Sequence, residues 1–308
     1  MSCTATRLCI IAAVAAGSSF LQQTGDCRSD STRTHLVIPD TQAKPGVPTN
    51  HLEWIGAYII ERKPDVIVHL GDHADMPSLS SYDIGKRSFE GRRYNDDIEA
   101  ANEAFDILCA PLERFQDHQR KMKDKLYRPE LHLTLGNHED RINRATNDDA
   151  KLHGLISTDD LNYAAHGWKV HPFLRPVCID GVYYAHYWAA PMTGRALGGS
   201  ALSRLTKIGH SFVMGHQQTL DYAVRFLPGS GQQQFGLVCG ASYLHQETYK
   251  GEQGNAHWRG VIVLHQVENG SADPMFVSLD YLCRRYEGVP LSAFMRDCYG
   301  LDVNGLSL

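Results

Sequence analysis

The sequence predicts an α/β protein in which helices cover two packed β-sheets. Three observations lead there. Short apolar runs alternate with helical patterns through the first half of the chain, and strand patterns follow one another through the second half, with one short helix among them. The apolar residues make up 43% of 308, enough for a sizeable core.

Residues 35–39 (HLVIP) read as a short buried strand ending at Asp40, followed by a Pro/Gly loop over 43–48. In the next segment Leu52, Ile55 and Ile59 recur at helical spacing, Thr49 or Asn50 can cap the start and Pro64 stops the end, which predicts a helix over 50–63. A second strand is expected over 65–70. Residues 78–93, with Lys86, Arg87, Arg92 and Arg93, form a polar surface excursion. A long helical pattern covers 96–125, with an interruption expected near Pro111, and its charged run over 114–128 reads as an outer helix face. A third strand is expected over 131–135. Two strands around Asp180-Gly181 form a hairpin over 177–187. A short helix over 201–208 leads to a strand over 211–214 that ends in Gly215-His216. Further strands are expected over 222–226, 234–239, 260–267 and 275–279, with a turn at Asn269-Gly270.

The net charge of −5 argues against a protein that coats nucleic acid non-specifically, while leaving room for a local basic channel. Eight cysteines are scattered without a Cys-x-x-Cys pair, as expected of free, mostly buried thiols rather than a zinc knuckle or a disulfide scaffold. Residues 8–21 are apolar and rich in small residues, too short to span a bilayer comfortably. They read first as a leader or disordered extension, second as an export signal. Residues 1–33 are accordingly set apart from a domain over 34–308 that closes on a C-terminal tail, and a cytoplasmic location is expected.

Five predicted strand ends carry chemistry: Asp40 with Gln42, Asp72 with Asp75, Asn137 with His138, His186, and His216 with Gln218. In a sheet of this class, ligands bind in the loops beyond the carboxyl ends of the strands. Taken singly, a Gly-Asp is usually a turn, a Gly-Asn-His a loop, and a His in an aromatic strand a packed core residue. The ordered set of five points instead to one site. Strands that deliver an Asp and then an Asn-His pair to a sheet rim suit metal-dependent phosphoester hydrolysis, which needs charge neutralisation, an activated water and an acid for the leaving group. His73, His210, His245, His257 and His265 are left over as spare, and Tyr243, Tyr249 and Trp258 read as core or rim packing.

In order, these pieces read D-T-Q (40–42), G-D-H-A-D (71–75), G-N-H-E (136–139), His186 and G-H-Q-Q (215–218). The set resembles the calcineurin-like metallophosphoesterase superfamily, whose signature runs D-x-H, G-D-x-x-D, G-N-H-[DE], H and G-H-x-H. Phage- or prophage-encoded members are the nearest in character, and the resemblance covers residues 34–282. It implies a four-layer α/β/β/α sandwich with two mixed sheets. It implies two divalent ions bridged by Asp72, with Asp40 on the first and Asn137, His186 and His216 on the second. His138 then donates a proton to the leaving oxygen and Asp75 orients it. The chain departs from the pattern at Gln42 and Gln218, which stand where the family has histidines on the first metal. Glutamine carbonyl oxygens there make a site suited to Mn²⁺ first, with Mg²⁺, Fe or Zn²⁺ as the other candidates, or else a first metal that binds weakly. Met76-Pro77 and Tyr187-Trp188 stand where the protein phosphatases of the superfamily carry Arg-Gly and Gly-Gly. The expected substrate is therefore a phosphodiester of nucleotide or nucleic-acid type, ahead of a phosphomonoester. A phosphoprotein phosphatase and a non-catalytic phosphate binder are the alternatives, and no stable membrane association is expected.

Overall fold

The computed structural model describes residues 32–247 and 250–301, apart from the side chain of residue 252. Of the expected leader over 1–33 only Thr32 and Arg33 are described, and Arg33 already opens the first strand. No described helix is long and apolar enough to cross a membrane.

One sheet has the order β11-β10-β1-β2-β3-β4, formed by Ser271–Ser278, Gly260–Glu268, Arg33–Ile38, Val66–His69, Glu130–Thr134 and Lys169–His171. Its strands β1 to β4 are parallel, and β10 runs antiparallel to β1 and β11. The other sheet has the order β5-β6-β7-β9-β8, from Val177–Ile179, Val182–Ala185, Phe212–Met214, Gln233–Cys239 and Leu220–Phe226. There β6, β7 and β9 are parallel and the edge strands antiparallel.

Alternation along β1 shows how the layers assemble. Leu36 and Ile38 pack with the helices, while Val37 packs with the second sheet. Side chains of a strand point to opposite faces in turn, so both faces of this strand must be apolar if both are covered. Val37, Val68 and Leu264 meet Tyr184, Val213 and Leu237 between the sheets. On the outer face of the second sheet, Leu205 of α4 (Ala201–Ile208) packs on Phe212, Met214 and Val238. The expected four layers are thus present. His35 adds a polar tie between the sheets, with Nδ1 2.6 Å from the Tyr184 hydroxyl and Nε2 2.8 Å from Asp180 in the β5–β6 turn.

The helical layer is α1 (Asn50–Arg62), α2 (Tyr94–Met122), α6 (Leu279–Tyr286) and α7 (Leu291–Tyr299). Contrary to the expected interruption, α2 runs unbroken through Pro111. A proline removes one helical hydrogen bond, but here α1 presses directly on that turn: a Cβ added to Gly56 would lie 2.6 Å from the Leu108 carbonyl and 2.7 Å from the Pro111 ring. Nor is the C-terminal segment a mere tail over its described part. Trp54 of α1 meets Phe294 edge-on at 5.2 Å and donates its indole N–H to Glu287 at 2.7 Å, so α6 and α7 belong to the core. Between β3 and β4 lies α3 (Asp140–Asp148), which begins directly after the G-N-H-E segment. A short helix, α5 (Gly251–Asn255), precedes β10. All five cysteines among the described residues are free, and three of them are buried.

Candidate metal centre

All five expected strand ends open on one rim. The parallel registers Ile38↔His69, His69↔Leu133 and Ala185↔Met214 bring the loops off β1, β2, β3, β6 and β7 out at matching levels. Asp40, Asp72, Asn137, His186 and His216 sit at those exits.

Asp72 is the hub. It is 2% exposed, and its Oδ1 accepts the His138 backbone N–H at 2.9 Å. Its Oδ2 lies 3.2 Å from His186 Nε2, and that nitrogen lies 2.9 Å from Asn137 Oδ1. Donor atoms of Asp72, His186 and His216 all fall within 4.8 Å of one another. The His186 Nδ1–H donates to the Leu70 carbonyl at 2.8 Å, which turns Nε2 toward the cluster. Burial pulls the His186 pKa down, but the charge and hydrogen bond of Asp72 outweigh it and carry it up to about 9. For His216, burial and the neighbouring His186 lower it to about 4, so that ring is neutral at pH 7 and able to ligate. One carboxylate, one amide oxygen and two imidazoles converge here, a donor set that fits a divalent transition ion.

The remaining expected donors, Asp40, Gln42 and Gln218, are held differently. Asp40 is fully buried, and its Oδ1 accepts the His216 backbone N–H at 3.0 Å. Burial pushes its carboxyl up to about 6, with Asp72 adding to the push and His186 opposing it. Gln42 is 1% exposed, and its Oε1 has no hydrogen-bond partner among the described residues. A buried carbonyl oxygen left unpaired is free to take a cation. Gln218 departs from the expected role. Its Nε2 faces Asp40 Oδ2 at 3.4 Å, and its Oε1 accepts from the Tyr243 hydroxyl at 2.8 Å and from the Lys250 ammonium. With its carbonyl paired to a phenol and an ammonium, Gln218 presents its amide N–H toward Asp40.

His138 stands across from the hub. Its Nδ1 is 2.6 Å from Asp75 Oδ1 and its Nε2 is 3.7 Å from Asp72 Oδ2. Burial lowers its pKa, but the two carboxylates outweigh that and raise it above the ordinary histidine value. Asp75 is held in turn by Lys44, whose ammonium lies 2.8 Å from Oδ2 and 2.6 Å from Glu247. Burial opposes the charged form of Asp75, yet His138, Lys44 and Arg141 together hold its carboxyl well below the usual range.

Sequence reading left three residues here without a role. Glu139 is fully buried and accepts four backbone N–H groups, from Asp72, His73, Ala74 and Gly136, at 2.6–3.1 Å. It ties the loop off β2 to the loop off β3. Lys44 joins Asp75 to Glu247, and Arg141 reaches back over the β2 loop from α3. Glu139 could have been suspected from its place in G-N-H-E, whereas the other two carry no spacing signal.

The backbone is strained where the donors sit. Gln42, Asp72, Met76, His216 and Gln218 all have positive φ, between 43° and 65°. Such conformations cost about 1–3 kcal/mol each and persist where the surroundings over-determine them. A Cβ on Gly136 would fall 2.1 Å from Asp72 Oδ1, and one on Gly215 2.3 Å from Asp40 Oδ1, so both carboxylates need a glycine beside them.

A cleft of about 1010 Å³ opens from Asn137, His138 and His216 toward the excursion over 78–93. Lys86, Arg92 and Arg93 line it, as do Asp83, Glu90, Asp96 and Asp97. Lys86 and Arg92 both pair with Asp83 at 2.8 Å. Tyr243 is fully buried, with Arg259 over its ring at 4.4 Å, so it packs as expected. Tyr249 lies outside the described residues.

No protein-family model and no curated protein matches the chain. Among solved structures, it is similar to a conserved uncharacterized protein and predicted phosphoesterase from Streptococcus pneumoniae TIGR4, at 10% identity and a TM-score of 0.31. It is also similar to YfcE, a phosphoesterase from E. coli, at 13% identity and a TM-score of 0.32. Each alignment covers 80% of this chain and 99% of the other. At these scores the overlap carries no weight for the chemistry of this site.

Proposed function

We propose that this protein hydrolyses phosphoesters with two divalent ions. The observation that carries the reading is the pairing of a donor cluster around Asp72 with a carboxylate-held imidazole, His138, on its open side. Asn137, His186 and His216 with Asp72 would hold one ion, and Asp40, Gln42 and Asp72 the other. Bound there, divalent ions would supply an activated water and offset the negative charge of the phosphate. The oxygen-rich set around Asp40 favours Mn²⁺ or Mg²⁺ over Zn²⁺.

The protein's own groups do the rest. Asp75 fixes the Nδ1–H of His138, so the proton passed to the leaving oxygen comes from Nε2. The raised pKa favours the form that carries that proton. Phosphodiesters of nucleotide or nucleic-acid type are the first substrates to test, because the cleft beyond His138 is far larger than a phosphate requires.

The test is hydrolysis of bis(p-nitrophenyl) phosphate and of p-nitrophenyl phosphate by the purified protein with Mn²⁺. His138→Ala should lower kcat by about 10²–10⁴-fold with metal content unchanged. The rate ratio of the two esters separates diesterase from monoesterase. Wild type and variant equally inert with Mn²⁺, Mg²⁺ and Zn²⁺ would leave a phosphate-binding protein instead.

A further inference from the structure

Arg141 sits in the first turn of α3 with its side chain 13% exposed. Nη1 donates to the Asp75 carbonyl at 2.7 Å and to the Met76 carbonyl at 3.2 Å. Those carbonyls belong to a tight segment, with Met76 at a φ of 50°, so the guanidinium is fixed in position and orientation. Its ion pair with Asp75 also runs through Nη1, at 3.7 Å. Nη2 points elsewhere, to within 3.3 Å of His138 Nε2. Both Arg141 and His138 line the cleft.

Nη2 and Nε2 lie 3.3 Å apart and face the same part of the cleft, so a ligand that carries two neighbouring acceptors can engage both. A phosphate ester brings such acceptors, because its leaving oxygen and a non-bridging oxygen lie on one phosphorus and can take one donor each. The planar fork of arginine suits this division, with one nitrogen anchored to the protein and the other presented to the ligand.

Building on the phosphoester reading above, we propose that Arg141 is a substrate-binding residue whose Nη2 donates to a phosphoryl oxygen beside the one that His138 serves. Nothing in its spacing announces the role, since the residue comes from the helix after G-N-H-E and reaches back over the G-D-H-A-D loop. The arrangement also gives a reason for the left-handed backbone at Met76: it turns two successive carbonyls toward one guanidinium nitrogen.

The test is the affinity of the Mn²⁺-loaded full-length protein for inorganic phosphate, by isothermal titration calorimetry, alongside KM for the better p-nitrophenyl ester. Arg141→Ala should weaken phosphate binding and raise KM by about 10- to 100-fold, the span of a charge-assisted hydrogen bond. Bound Mn²⁺ per chain should stay at the wild-type value. Arg141→Lys, which keeps the charge and the fold but not the fork, should show a smaller loss, and it is the variant to read if the alanine protein does not fold. Phosphate affinity equal to wild type in the variants overturns the assignment. So does a parallel fall in bound Mn²⁺, which would mean that Arg141 only props the Asp75 loop. Failure of the wild-type protein to cleave either ester would sink the phosphoesterase reading, while the phosphate titration would still decide the role of Arg141.

Discussion

Two groups of expected donors can be compared: Asn137, His186 and His216, which gather around Asp72, and Asp40, Gln42 and Gln218. An imidazole has two distinct nitrogens, and a backbone partner at one fixes what the other can do. The Leu70 carbonyl takes Nδ1 of His186 and thereby reserves Nε2 for the cluster. A glutamine amide carries a donor and an acceptor on one carbon, so the protein's own hydrogen bonds can absorb both. That has happened to Gln218, whose amide hydrogens face Asp40 while its carbonyl serves Tyr243 and Lys250. Gln42 escaped, and its oxygen remains unpaired among the described residues. The two glutamines therefore differ in what they leave open: the Gln42 carbonyl is unpaired, and that of Gln218 is already bonded to Tyr243 and Lys250.

Removing a donor from each side is the strongest way to break this contrast. His186→Ala should weaken Mn²⁺ binding by at least about 100-fold, since even partners outside the ligand shell are worth about 10–100-fold. Gln218→Ala should cost less than about tenfold on the same scale. Equilibrium dialysis with metal analysis compares them, and equal losses would make Gln218 a ligand after all.

A finer test uses protons. Without metal, His186 holds its proton up to about pH 9 and Asp40 up to about pH 6. A cation must displace those protons, so apparent affinity rises with pH until the pKa is passed and then levels off. The histidine side should level off near pH 9 and the glutamine side near pH 6. Calorimetric titrations in buffers of different ionisation enthalpy would show the two proton releases, and a single shared pH for both would refute the separation.

The smallest expected change is one of preference. Gln42→His combined with Gln218→His should shift the metal that best supports activity from Mn²⁺ toward Zn²⁺, because imidazole favours the softer ion. Activity titrations that keep the Mn²⁺ preference would mean that the glutamine side does not select the metal.

Much of the fold was legible because its signals are local. Strands β1, β2 and β3, helix α1 and the Asp180-Gly181 hairpin announce themselves through runs, spacing and turn residues, and the structure has them within a few residues of the expected ends. What was missed had short or misleading signals. Strand β4 has three residues, and α3, α6 and α7 have eight or nine, too few for periodicity to stand out. Pro111 reads as a break, and only the close seat of α1 over Gly56 explains the intact helix. At the site, Asp40, Asp72, Asn137, His186 and His216 could be found because each ends an apolar run. Glu139 could be seen but not understood, since its partners are backbone N–H groups that no sequence pattern displays.

By itself the sequence determined which side chains stand at the strand ends, since a strand and the loop that follows it are neighbours in the chain. Only the tertiary structure decided what each of those side chains would face. Lys44 meets Glu247 across 203 residues and Gln218 meets Tyr243 across 25. Hydrogen bonds and ion pairs act over a few ångströms of space, however far apart their groups lie along the chain, and so Gln218, His138 and Arg141 met their partners only once the sheets had packed.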